Sequence, residues 1–373
     1  MSGAEQCERI ADVAATPASK NEFEVIASAT LSSIGLPAGC VTGVGSLPFT
    51  EPDEAVDFVK RWSPVVPFWP QLPRRCPQED MVTQALGLLV EFLEPSAQPS
   101  CWSLRNGHEA AFTAAMTGGS PGLVADSASG FFEFERWLGA NQFPAALAIK
   151  GQLIGPITLS QCLIKDGTPL THQPGWLGLI ADYLARQAGW QISRLQVAGR
   201  PVLLAVDEPC LNPASVGEAV TKMGGLKSET MRDSIRALLE SIRSAGAMAG
   251  LHCCAQLPIP FLCGLSLDYL SFDGHLLRNG GEIHDLAQQI LERGGRFAFG
   301  LVPTTRTPSM DEVARLTADW CKLATEMGTM NKIARHSMVT ATCGLGLSTP
   351  ESAAASFLVA GQIARNIEDF GKA

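Results

Sequence analysis

Val202-Leu203-Leu204-Ala205-Val206-Asp207-Glu208-Pro209 and Ala247-Met248-Ala249-Gly250-Leu251-His252-Cys253-Cys254 share one plan. Each is a short apolar run that stops abruptly at acids, an imidazole or thiols. A continuous run of this kind suits a parallel strand, which crossover helices cover on its outer face. The same character predicts strands at 40–45, 65–69, 146–151, 202–206, 247–252, 269–272, 297–301 and 338–342. Between them, Leu177, Ile180, Leu184, Ala188, Ile192 and Leu195 recur at helical spacing, as do Met231, Ile235, Leu238 and Ile242. Further helices are expected over 311–327 and 350–370. Eight strands alternating with helices predict an α/β fold, a (β/α)8 TIM barrel, with a doubly wound open sheet as the alternative. Residues 84–141 are too long for one crossover and predict a helical or hairpin lid inserted after strand 2. The domain reading is an N-terminal extension over 1–38, partly disordered and then helical, and one catalytic barrel over 39–373.

Composition narrows the class. The chain has 373 residues, 28 basic against 37 acidic side chains and a net charge of −9. An acidic balance without basic runs gives nucleic acid no electrostatic footprint. No apolar run approaches the roughly 18 residues that would cross a bilayer, and the first residues lack the basic start and apolar stretch of a secretory signal. A cytoplasmic enzyme is the expectation. Eleven cysteines, odd in number and irregularly spaced in a long chain, do not read as a disulfide scaffold.

In a barrel of this type, chemistry belongs where strands end and loops begin. Those positions hold Gly45-Ser46, Gln71, Gln152, Asp207-Glu208, His252-Cys253-Cys254, Asp273, Val302-Pro303 and Cys343-Gly344. Alternation along a strand points His252 and Cys254 one way and Cys253 the other. A tetrahedral zinc site needs three or four ligands, and the catalytic kind keeps one position exchangeable. Cys343 and Asp273, each at a predicted strand end, are candidates to complete the set, and mixed sulfur, nitrogen and oxygen donors favour Zn²⁺. Asp273 could instead orient a ligating histidine. Asp207 and Glu208 are candidates for binding a substrate ammonium or for acid–base work, with only one of them facing the pocket. Gly43-Val44-Gly45-Ser46-Leu47-Pro48 lacks the third glycine of a dinucleotide loop. It suits an anion held by backbone N–H groups and the Ser46 hydroxyl.

Seven segments in the same order resemble the C-terminal barrel of the cobalamin-independent methionine synthases, within the superfamily of uroporphyrinogen decarboxylases and zinc methyltransferases. They are residues 42–48, 78–82, 150–158, 206–209, 252–254, 268–273 and 342–345. The resemblance implies His252, Cys254, Asp273 and Cys343 as zinc ligands, with aspartate where the full-length synthases carry glutamate. It implies that Gly45 and Ser46 hold the carboxylate of homocysteine and Asp207 its ammonium, with Gln152 in the same pocket. Arg75 stands where the family has an acid, and suits a sulfonate or second carboxylate. The folate-flanking tryptophan is absent near Gln161, and Pro303-Thr304 replaces a histidine of the folate half. The resemblance is therefore to the short single-barrel relatives. It implies methylation of homocysteine to methionine, from methylcobalamin or a methylated corrinoid carrier protein. Methyltetrahydrofolate as donor, coenzyme M as acceptor, and a non-catalytic zinc or corrinoid-protein binding module are the alternatives.

Overall fold

Aliphatic runs bounded by glycine and proline become strands in the computed structural model, which describes residues 34–119, 121–216, 228–277 and 280–372. In chain order these are β1 (Cys40–Val41), β2 (Leu93–Pro95), β3 (Trp102–Leu104), β4 (Ile149–Ile154), β5 (Leu163–Lys165), β6 (Thr168–Pro169), β7 (Val202–Asp207), β8 (Met248–Cys253), β9 (Tyr269–Asp273), β10 (Arg296–Val302) and β11 (Ser337–Ala341). The main sheet runs β1-β11-β10-β9-β8-β7-β4, and every neighbouring pair is parallel. Strand order follows chain order around the sheet, without the reversal that defines a doubly wound fold. Residues 65–71 link its two edges through the bridges Phe68↔Lys150 and Ser46↔Gln71. The result is a curled, TIM-barrel-like α/β sheet.

The expected strand at 65–69 is reduced to those bridges for a covalent reason. Pro67 and Pro70 have no N–H to donate, so no regular ladder can run through them. The strand expected at 146–151 starts later, at Ile149, because the N–H groups of Leu147 and Ala148 turn aside to the Val65 carbonyl. The strand expected at 40–45 is only two residues long. The helices match the apolar spacing more closely, at Trp176–Leu195, Ser228–Ser244, Val313–Met327 and Pro350–Lys372.

Two apolar clusters divide the core. The larger lies between sheet and helices and includes Leu204, Val206, Leu251, Phe272, Phe299 and Val339. The smaller fills the inside of the barrel with Cys40, Val66, Leu203, Ala205, Met248, Tyr269, Ala298 and Met338. Outward and inward residues alternate along each strand, as the pleat requires. Within 84–141 lie the helices Glu109–Gly118 and Ser129–Gly139 and the antiparallel pair β2–β3. β3 pairs with β5, forming a second sheet of order β2-β3-β5-β6. Residues 1–33, most of the expected N-terminal extension, lie outside the described residues. Among the described residues no helix is long and apolar enough to cross a membrane.

Candidate metal centre

Inward-facing residues change character along the barrel axis. They run Leu203, Ala205, Asp207 on β7, Met248, Gly250, His252 on β8, Tyr269, Ser271, Asp273 on β9, and Met338 then Thr340 on β11. On these four strands the inner face begins largely apolar and ends polar, which places polar groups at their C-terminal ends, where loops can reach them; β4 and β10 differ, with the buried Lys150 and Arg296 near their starts.

His252, Cys254 and Cys343 meet there. One ligand atom from each lies within 4.8 Å of the others. Two ligands of a tetrahedral zinc with bonds of about 2.3 Å stand about 3.8 Å apart, so this spacing fits a single ion. His252 is 4% exposed, and its Nδ1 is 2.9 Å from the Ser271 hydroxyl, on the adjacent strand. That contact orients the ring and leaves Nε2, which is buried without a hydrogen-bond partner. A buried orphan nitrogen beside two thiols is the donor set that a borderline-soft cation satisfies. A hydrogen bond from the Cys254 thiol holds Cys343 down at about 4; the His252 imidazole lowers it too, while burial acts the other way. The same bond, together with burial, pushes Cys254 well up. These opposed shifts fall on two adjacent thiols at the place where an ion would take both as thiolates. Cys253 points away as expected, its thiol donating to the Leu211 carbonyl at 3.0 Å.

Asp273 ends β9 on the same side but stands outside this close group. Its Oδ1 accepts the His275 N–H at 2.8 Å, and burial raises its carboxyl. The adjacent acids of β7 separate completely. Glu208 accepts the N–H groups of Ile157 at 2.9 Å and Thr158 at 2.8 Å, and the Thr158 hydroxyl at 2.6 Å. It therefore serves the start of the Pro156–Cys162 helix, filling donors that any helix leaves open. Asp207 is 5% exposed, and its Oδ1 has no hydrogen-bond partner. Burial lifts it to about 6, opposed by His252 and Lys150. Asp207 thus leaves a buried carboxylate oxygen open, within electrostatic reach of Cys343.

Ser46 is brought against the Cys343 loop. Its hydroxyl accepts the Gly346 N–H at 3.2 Å, and its carbonyl accepts the Leu345 N–H at 2.9 Å. A Cβ at Gly344 would sit 2.1 Å from Ser46 Oγ, so this approach needs glycine there. Gly45 is constrained similarly, since a Cβ would lie 2.9 Å from Gln71 Oε1 and 3.0 Å from Gln152 Cδ. Gln152 is fully buried, with Nε2 donating to the Trp69 carbonyl at 2.9 Å and Oε1 accepting from Lys150 at 3.3 Å. Its amide is engaged within the barrel wall. Arg75 pairs with the buried Glu79 at 3.2 Å, and no contact ties it to Ser46 or Asp207.

Two residues of the site carried no role in the sequence reading. Ser271 orients His252. Lys150, 1% exposed, donates to the Val44 carbonyl at 2.6 Å and so holds the Gly43–Ser46 loop, while burial lowers its ammonium to about 8 against the pull of Asp207. A lysine interrupting a buried strand was the available signal.

No protein-family profile matches the sequence, and comparison with curated proteins gives no match. Among solved structures, a B12-independent methionine synthase from Shewanella sp. W3-18-1 in complex with selenomethionine aligns at 16% identity and a TM-score of 0.44, covering 63% of this chain and 67% of that one. The pneumococcal virulence factor StrH aligns at 8% identity and a TM-score of 0.41, covering 64% of each chain.

Proposed function

We propose that the protein is a zinc-dependent thiol methyltransferase that converts homocysteine to methionine, with a methylated corrinoid as donor. The observation that carries this reading is the convergence of His252, Cys254 and Cys343, from two distant strand ends, around an unpartnered imidazole nitrogen. These three would hold Zn²⁺, with Asp273 as a candidate fourth donor. When bound, the ion would supply deprotonation of a coordinated thiol, whose ordinary pKa near 8.5 leaves little thiolate at neutral pH.

The chain's own residues would do the rest. Ser271 fixes the imidazole so that Nε2 faces the centre. Asp207, with an open carboxylate oxygen, would take the substrate ammonium. The Ser46 hydroxyl, accepting from Gly346, keeps its own proton to donate to the substrate carboxylate. Fixing both ends of the amino acid orients its sulfur, a proximity contribution. A methyl leaving a corrinoid needs no proton delivered to its carrier, whereas a folate nitrogen does. Pro303 and Thr304, beyond β10, supply no strong acid; Thr304 Oγ1 is spent on Thr342 Oγ1 at 3.4 Å. Arg75, neutralised by Glu79, does not favour a sulfonate acceptor such as coenzyme M.

The test is metal analysis of purified protein followed by turnover with homocysteine, comparing methylcobalamin with methyltetrahydrofolate. About one zinc per chain and methionine from methylcobalamin are expected. Methionine from the folate alone would overturn the donor. Zinc retained with no transfer from any donor would point to a binding module, and protein that takes up no zinc would end the proposal.

A further inference from the structure

Three thiols outside the metal centre gather near the barrel rim. Cys101 immediately precedes β3, Cys162 closes the Pro156–Cys162 helix just before β5, and Cys210 follows Asp207-Glu208-Pro209. β3 and β5 run parallel, with Trp102 opposite Leu163 and Ser103 opposite Ile164. One step back in that register, Cys101 stands beside Cys162. Neighbouring strands lie about 4.8 Å apart, inside the Cα separations of about 4.4–6.8 Å that a disulfide spans. Cys101 and Cys210 both lie within electrostatic reach of Cys162, and Cys101 within reach of Cys210, while the Cys101 thiol donates to Gln98 Oε1 at 3.8 Å. All three are half-buried and free.

We propose that Cys101 and Cys162 form a reversible disulfide under a small-molecule disulfide oxidant of the glutathione class, making this pair a redox modification site distinct from the metal centre. The Cys101 thiolate attacks one sulfur of the oxidant and releases one small thiol, leaving a mixed disulfide on Cys101. Cys162 then attacks the Cys101 sulfur and expels the second small thiol, to which its proton passes. Two protein thiols are oxidised and one disulfide is reduced to two thiols. Burial, reinforced by the neighbouring Cys101 and Cys210, holds Cys162 protonated, which suits it to act second.

The consequence follows from topology. β3 belongs to the 84–141 segment, whereas β5 follows the helix whose first N–H groups Glu208 fills. A covalent link would fasten that segment to the exit of β4, beside Asp207.

The test equilibrates the whole protein with glutathione disulfide, alkylates remaining thiols, digests without reductant and maps linked peptides by mass spectrometry. A Cys101–Cys162 peptide pair is expected, lost on reduction and absent from Cys101→Ser. Amides of 93–104 and 163–169 should exchange at least about tenfold more slowly in the oxidised form. Full alkylation of both residues, a mixed disulfide that never resolves, or a Cys162–Cys210 link would each overturn the proposal. No readout uses metal or turnover, so this inference fails or stands separately from the proposed function.

Discussion

The two ends of the barrel interior are made by the same strands and behave as opposites. Leu203, Met248, Tyr269 and Met338 pack the lower end, where the Tyr269 hydroxyl and Arg296 Nε are also buried without partners, whereas Asp207 and His252, farther along their strands, each leave one buried polar atom open. Apolar packing is concentrated below, and the carboxylate, imidazole and thiol groups above. A site built this way can tolerate orphaned groups because the plug beneath it holds the strands in place.

Substitutions can break or sharpen that division. The largest effect belongs to the upper end: Cys343→Ala or Cys254→Ala should remove bound zinc and lower methionine formation by more than about 100-fold, with circular dichroism unchanged. Full zinc and full turnover in either variant would dissolve the comparison. Met248→Ala should do the converse, costing about 2–5 kcal/mol in urea unfolding while zinc stoichiometry holds. Ser271→Ala probes the boundary, and should weaken zinc about 10–100-fold in competition with a chelator.

The smallest effect is a pH dependence at Lys150. Its folded pKa, about 8, lies below the ordinary 10.5. Between those values the unfolded chain therefore holds the extra proton, and stability rises with pH by up to about 1.4 kcal/mol per unit. Lys150→Met should flatten that rise in unfolding measured from pH 7.5 to 10.5. An identical slope in both proteins would show that Lys150 stays charged throughout.

What could be read beforehand follows the same physics. Continuous apolar runs such as Val202–Val206 announce buried strands because few other structures need them, and the polar residues that stop those runs mark the mouth. Alternation correctly set Cys253 apart from His252 and Cys254. The strand expected at 65–69 misled because apolar character was weighed ahead of the missing proline N–H groups. Glu208 was opaque for another reason: its partners Ile157 and Thr158 lie 51 and 50 residues away, and nothing local says which carboxylate fills a helix start. Ser271 looked like an ordinary strand residue until the register set it opposite His252.

The hoop of strands is joined by ladders at six junctions, that of β1 and β11 only two residues long, and by single bridges with a few flanking hydrogen bonds at the other two, on either side of 65–71. Backbone opens most readily where it has fewest bonds. Ser46 and Lys150 are themselves bridged residues, so an opening of these junctions would fall beside the loop that, in the proposed function, holds the substrate carboxylate. On that reading, a seam in the wall would double as the hinge of the clasp.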